Sequence, residues 1–396
     1  MSDFLKRITH PDVQQFITEQ EKTDVQKLLL RHREILGVPS TWVANQIVGR
    51  RKAREKLPTW YRTPGIVYPP VLNLEQSSSE ATARYKQGLV SGHHAADLTG
   101  GFGVDTWFLS RVFSTVDYVE PDAQLLDITR HNLTCLGADN IRYHAQTAEQ
   151  FLQYSPEVFD LLYVDPSRRE GARRKIRMAD CAPDVLTLQQ NLLARARQVL
   201  IKTSPLLDLK QAYREIPSID QIIVLAVENE CKELLLVLRR DAREAEPLLH
   251  AVNLAKDGEP TTLAFTWSQE KSTRSEMSEP KTYLYEPNTA ILKAGAFKLI
   301  GKQFNLSKLA RDSHLYTSDD KYDEFPGRLF RIIEQVRLSK GLHDHVKDGR
   351  INIMVRNYPL SVEEIRKKTG LEEGGVSYLI CTSTTKPLAL LAQRIR

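Results

Sequence analysis

Cysteine is scarce in this chain, with four in 396 residues, and Cys135, Cys181, Cys231 and Cys381 lie far apart with no C-x-x-C pair. That spacing excludes a disulfide framework and offers no zinc signature. The ten histidines also lack metal-ligand spacing, so no metal is expected. Long apolar runs are missing too: Leu234 to Leu238 is among the longest, far short of a bilayer span. The first residues, Met1-Ser-Asp-Phe-Leu-Lys-Arg, contain no apolar signal core, so a cytoplasmic protein without a membrane partner is expected. There is no low-complexity tract and no evident repeat. A composition of 41% hydrophobic and 27% charged residues is ordinary for a globular protein, and the length suits two or three domains.

Charge is modest in total, +5, but unevenly distributed. The run Arg168-Arg169-Glu-Gly-Ala-Arg173-Arg174-Lys175-Ile-Arg177 holds six basic residues and one acid. Residues 326–396 carry 13 Lys or Arg against 7 Asp or Glu, so the remainder of the chain is net acidic. Guanidinium groups in such a cluster match phosphate geometry and gain from counterion release, which suits a nucleic-acid backbone; a solvated loop is the alternative.

What is present points to a nucleotide-like cofactor. His94-Ala-Ala-Asp97-Leu-Thr-Gly100-Gly101-Phe102-Gly103-Val-Asp105 reads as an apolar strand running into a glycine turn and then a helix from about Val104 to Phe113. Glycines let the backbone approach a ligand closely, and the helix start presents unpaired N–H groups. The next apolar strand, Val116 to Val119, ends in Glu120, a carboxylate roughly 20 residues after the glycines, where it can accept ribose hydroxyls. Phe159 to Val164 reads as a buried strand that delivers Asp165 and Pro166 to the carboxyl edge of the sheet. His93 and His94 fall at the start of the first strand and are expected to be structural.

Nicotinamide enzymes lack the Asp165-Pro166 ending. With it, the stretch from about residue 80 to 240 resembles the class I S-adenosylmethionine (SAM) methyltransferases. Strands three and five are expected at Ile141–Ala145 and Gln198–Thr203. The segments from Asp220 to Val227 and from Glu233 to Leu238 lie too close for a helical crossover, so they form the antiparallel hairpin that ends such sheets. The fold class is therefore α/β, a Rossmann-like domain with a seven-stranded sheet, flanked by an α-helical N-terminal domain and a small α+β C-terminal region. The expected boundaries are 1–70 helical and 71–270 methyltransferase; the motifs at Tyr283–Asn288, Leu315–Ser318 and Val355–Ser361 carry a resemblance that implies a ferredoxin-like module over 280–324 and a THUMP-like one over 325–396. Pro64 to Pro70 forms the connector after the helical domain, Trp42 belongs to that domain's core, and polar segments from Glu244 and from Ser268 leave the sheet as surface connections. Tyr283-Leu-Tyr-Glu-Pro-Asn288, Leu315-Tyr-Thr-Ser318 and Val355-Arg-Asn-Tyr-Pro-Leu-Ser361 resemble a bacterial methyltransferase family with these two C-terminal modules.

The resemblance implies an enzyme whose cofactor is SAM. It puts Asp97, Gly100, Gly101, Phe102 and Gly103 around the methionine part, Glu120 on the ribose, and Ala145 or Gln146 against the adenine. THUMP domains belong to RNA-modifying enzymes, so the implied partner is a structured RNA such as tRNA or rRNA, with Arg168, Arg169, Arg173, Arg174, Lys175 and Arg177 as substrate contacts. Asp165 and the Pro166 carbonyl are the catalytic pair: by accepting amine hydrogens they turn a base nitrogen's lone pair toward the methyl group. Amino-methyltransferases usually continue with a second proline and an aromatic residue, where this chain has Ser167 and Arg168. Arg168 can stack on a base or hold a phosphate. A protein or small-molecule methyltransferase, and a SAM-binding protein without catalysis, remain the alternatives.

Overall fold

The computed structural model describes residues 3–168, 178–241, 245–256, 259–346 and 349–395. The chain divides into two compact units, residues 1–220 with 234–245, and residues 221–233 with 246–396.

In the first unit, short helices fill the segment from Asp3 to Gln87, interrupted by a two-residue pairing of Glu34–Ile35 with Val38–Pro39. Leu5, Ile8, Val13, Ile17, Leu28, Val43 and Ile47 form its core, with Trp42 packed against them as expected. The proline-rich connector is not a free tether. Asn132 bonds both the N–H and the carbonyl of Val67, and Gln46 does the same for Tyr68, so side-chain amides take the place of a neighbouring strand. The basic stretch before it is also engaged internally: Arg50 pairs with Glu21, Arg51 bonds the Glu21 and Thr23 carbonyls, Lys52 pairs with Glu75, and Lys56 bonds the Leu74 and Glu75 carbonyls. Ser79 caps the helix Glu80–Gln87 by accepting from the Thr82 amide.

The strands that follow are β1 (Gly92–Asp97), β2 (Phe113–Val119), β3 (Ile141–His144), β4 (Phe159–Val164), β5 (Ala196–Thr203), β6 (Ile219–Val227) and β7 (Glu230–Arg239). Within this unit the order is β7-β5-β4-β1-β2-β3. Neighbours among β1 to β5 are parallel and β7 runs antiparallel to β5. Parallel strands covered on both faces need continuous apolar runs, and β4 (Phe-Asp-Leu-Leu-Tyr-Val) and the middle of β5 (Val-Leu-Ile) supply them. The chain turns back between β6 and β7 through Glu228 and Asn229, both at positive φ, as a two-residue hairpin turn requires.

In the second unit, β6 is joined by β8 (Leu248–Leu254), parallel to it, and then by β9 (Thr261–Phe265). Here the structure corrects the expectation that the chain from Glu244 is surface connection and that the hairpin closes the sheet. Leu249, Ala251, Val252 and Phe265 are buried, so this stretch belongs to a sheet.

The rest of the unit builds a second sheet from β10 (Tyr283–Pro287), β11 (Ser307–Ala310), β12 (Ser313–Ser318), β13 (Gly327–Val336), β14 (Asn352–Val355), β15 (Ser377–Ser383) and β16 (Pro387–Arg394), ordered β11-β12-β10-β13-β16-β15-β14. One side buries Leu284, Leu309, Leu315, Phe330, Ile380 and Leu390, so both expected C-terminal modules share a core. The alternate residues Leu379, Ala389 and Leu391 pack with Ile365 of the helix Val362–Thr369, which Ser361 and Glu364 cap reciprocally and Gly370 ends at φ +73°.

The motif residues of this region are ties between strands. Glu286, buried on β10, accepts from Arg328 on β13 and from Arg356 after β14, the latter at 2.7 Å. Glu286→Ala should lower the stability of this unit by about 2 kcal/mol, since charge-assisted hydrogen bonds are removed. A urea midpoint unchanged from the wild type would show instead that solvent already satisfies both guanidinium groups.

Candidate active site

The parallel strands deliver their ends to one edge of the sheet: Asp97 closes β1, Glu120 follows β2, Asp165 follows β4 and Ser204 follows β5. All four line a cavity of about 830 Å³, together with the turn Thr99–Gly103, Ser78, Thr147, Ala148, Glu149, Pro166, Ser167 and Pro183. This is the crevice in which open α/β sheets bind ligands, and its size suits a nucleoside cofactor.

The glycine turn is shaped by what presses on it. A Cβ at Gly100 would lie 2.2 Å from the ring of Tyr118, and one at Gly103, φ +75°, would lie 2.5 Å from Thr129. The hydroxyls of Tyr118 and Thr129 both donate to the Gly101 carbonyl, at 2.6 and 2.9 Å. The turn is thus held from behind, and Gly100, Gly101, Phe102 and Gly103 all reach the cavity. Phe102 is itself buried in a cluster with Tyr68 and Trp107, so its ring acts mainly as core.

Glu120 binds the turn directly. One carboxylate oxygen accepts the Gly101 N–H at 3.0 Å and the other accepts the Asp122 N–H at 2.9 Å. Burial raises its pKa, and those two amides oppose the rise. Each oxygen keeps a further lone pair, the pattern needed to accept a pair of vicinal hydroxyls. Asp97 accepts from the Thr99 amide and, at 2.6 Å, from the Thr106 hydroxyl, and burial pushes its carboxyl up to about 7.

Asp165 lies in a set of charges that the sequence pattern does not reveal. Its amide donates to the Thr99 hydroxyl at 2.7 Å, and its Oδ2 accepts from Lys202, which follows the apolar run Val199-Leu-Ile of strand β5. Beside it, Asp105 accepts from Ser78 at 2.7 Å and from the Tyr163 hydroxyl at 3.0 Å, and pairs with Lys86 at 2.9 Å. Lys86 is 2% exposed, which only a paired ammonium tolerates. Burial acts to raise Asp105, yet Lys86 and Lys202 hold it below its usual range. The signal available in the sequence is a lone lysine inside an apolar strand, Val199-Leu-Ile-Lys202, where a charge needs a partner.

Not every expected contact is brought to the cavity. Ala145 and Gln146 are not among its lining residues, whereas Thr147, Ala148 and Glu149 are. Ser167 and Arg168 pair their backbones with Ala182 and Cys181 as a short ladder. Arg169, Arg173, Arg174, Lys175 and Arg177 lie outside the described residues. His94, on the other hand, joins Asp117, Arg142, His144 and Glu157 in a network around the buried Asp117 carboxylate. Its ligand-type atoms with Asp117 and Glu157 lie within 4.8 Å of one another, but the Arg142 guanidinium bonds all three and supplies the positive charge.

Comparison with known proteins agrees with this architecture. Residues 283–326 match the model of a ferredoxin-like domain and residues 327–394 that of a THUMP-like domain. An uncharacterised SAM-dependent methyltransferase of Mycobacterium tuberculosis is 23% identical over 377 residues, covering 92% of this chain and 95% of the relative. A crystal structure from Porphyromonas gingivalis W83, described as that of a candidate methyltransferase, superposes with a TM-score of 0.86 at 30% identity, covering 97% of this chain and 98% of that one. The cavity fits the cofactor these relatives imply: glycines where a Cβ cannot go, a carboxylate with lone pairs to spare, and the volume for a nucleoside. This chain, an enzyme whose cofactor is SAM, belongs to the family of SAM-dependent methyltransferases that carry a ferredoxin-like and a THUMP-like module at the C-terminal end.

Proposed function

We propose that this enzyme transfers a methyl group from SAM to a base nitrogen of structured RNA, such as tRNA or rRNA. The observation that carries the reading is where the residues flanking the basic run lie. Ser167, just before it, and Ala182 and Pro183, shortly after it, line the cavity that also holds Asp165. The THUMP-like match adds support, because THUMP domains belong to RNA-modifying enzymes, and residues 326–396 carry a second excess of positive charge.

In this reading Asp97, Gly100, Gly101 and Gly103 surround the methionine part of SAM and Glu120 accepts the ribose hydroxyls. The adenine lies toward Thr147 and Ala148 rather than Ala145 or Gln146. Bound SAM supplies the electrophilic methyl. Asp165 and the Pro166 carbonyl accept the hydrogens of the target amine and aim its lone pair at that methyl. Ser167 and Arg168 replace the second proline and the aromatic residue usual at this point, and Arg168 then stacks on the base or holds a neighbouring phosphate.

Replacing Arg173, Arg174 and Lys175 together by Ala should weaken RNA binding and reduce its salt dependence by a slope of about 2 to 3, roughly 0.9 for each phosphate no longer neutralised. SAM affinity should not change. RNA binding equal to the wild type at every salt concentration would remove this run from the interface and favour a protein or small-molecule acceptor.

A further inference from the structure

We propose that Lys202 is a positioning residue for methyl transfer: bonded to Oδ2 of Asp165, it fixes which carboxylate oxygen faces the acceptor and keeps that carboxylate able to accept. The proposal rests on the reading that Asp165 receives the acceptor's hydrogens. It starts from a conflict in the cavity wall. A carboxyl that is to take the acceptor's proton must be ionised, yet Asp165 is set where burial raises its pKa. The charged groups near it come from several elements: Lys202 from β5, Asp105 from the helix Val104–Ser110, Lys86 from the helix Glu80–Gln87, and Asp97 from the end of β1. Asp105 pushes the carboxyl further up and the two lysines pull it down, with Lys202 the larger of the two and the one in direct contact. Lys86 is already paired with Asp105.

The geometry gives the second half of the role. Lys202 takes Oδ2, and among the described residues no side chain bonds Oδ1. The Asp165 amide is held by Thr99, so the backbone at this point is fixed as well. One oxygen therefore anchors the group and the other is presented to the cavity. In the transfer, the acceptor nitrogen's lone pair forms the new N–C bond, the C–S electron pair returns to sulfur, and the proton released from nitrogen passes to Oδ1 of Asp165. Lys202 keeps its own proton throughout. A carboxylate already protonated would donate to the amine rather than accept from it, and the lone pair would lose its guide.

The test compares Lys202→Met and Lys202→Arg with the wild type. First, isotope-labelled aspartate is followed by NMR in the SAM-loaded protein without RNA. The Asp165 carboxyl should titrate at a higher pH in Lys202→Met and close to the wild type in Lys202→Arg. Second, the acid limb of the pH profile for methyl transfer should move up by the same amount in Lys202→Met, with activity below that limb falling about tenfold for each pH unit moved. SAM affinity should stay within about threefold, and Lys202→Arg should recover most of the rate. Third, in an Asp165→Asn background, Lys202→Met should have little further effect, since both changes remove the same interaction. An unchanged Asp165 titration and an unmoved acid limb would overturn the proposal, even with activity reduced. A wild type that transfers no methyl to RNA would overturn the RNA reading instead, and the titration without RNA would still decide the coupling.

Discussion

Asp165→Asn should reduce methyl transfer by about 10² to 10⁴-fold, the range in which removal of a positioned proton acceptor falls, while SAM affinity changes little. The amide keeps the volume of the carboxylate, but Lys202, which can only donate, takes its one acceptor oxygen and leaves the N–H₂ where Oδ1 now stands. It therefore loses the ion pair and the accepting oxygen together. Asn is preferred to Ala here because Ala would also leave the Lys202 ammonium, 13% exposed, without its partner. Equilibrium binding of SAM and single-turnover transfer, measured on the same preparation, separate the two effects. A large loss of SAM binding would move Asp165 from the acceptor side of the cavity to the cofactor side.

Gly101→Asp should do the reverse and abolish transfer through the cofactor. Gly101 stands at φ +53°, a conformation that Asp adopts at modest cost, and a Cβ there would come no closer than 3.7 Å to its neighbours. The turn should therefore keep its shape. Its new carboxylate, however, would enter the cavity next to Glu120, which the Gly101 amide already binds. Like charge beside the ribose acceptor and reduced room for the ligand should weaken SAM binding by about a hundredfold or more, equivalent to roughly 2.8 kcal/mol. The melting temperature without ligand should remain near that of the wild type. Gly100→Ala would be a poorer probe, because its methyl group would strike the Tyr118 ring and disturb the fold itself. Wild-type SAM affinity in Gly101→Asp would mean that the cofactor does not lie along this turn.

Much of the catalytic sheet is legible in the sequence, for a physical reason. Buried parallel strands need short continuous apolar runs, and Phe159 to Val164 can hardly be read otherwise. The polar residues that end those runs then stand out, and they single out Asp97, Glu120 and Asp165 from sequence alone. Strand β8 escapes such a reading because Leu248-Leu-His-Ala-Val-Asn-Leu254 follows a polar stretch and carries His250 and Asn253 within it. Strand β16 escapes it because its apolar run follows Lys386-Pro387 and lies near the end of the chain. That the two C-terminal modules share one sheet depends on pairings distant in sequence, such as β10 with β13, which no local pattern encodes. The lysines are the most instructive omission. Neither Lys86 nor Lys202 reveals its partner, Asp105 or Asp165, in the sequence, because an ion pair is a property of two segments rather than one.

The roles of the basic residues are equally a matter of partners. Arg50 to Lys56 and Arg168 to Arg177 look alike as strings, yet most of the first run bonds to Glu21, Glu75 and backbone carbonyls of its own domain. Charge density alone therefore does not mark an RNA surface in this chain. What sets the second run apart is its place in the chain, between Ser167 and Ala182, two residues that line the cavity.

Transfer of methyl from SAM to RNA is assayed by incubating the purified protein with labelled SAM and total RNA from its own host lacking the gene, with Asp165→Asn as the control. Label should enter RNA with the wild type and not with the variant, and nucleoside analysis should then find the methyl group on a base nitrogen. Measurable SAM binding with no label entering RNA would exclude RNA as the acceptor.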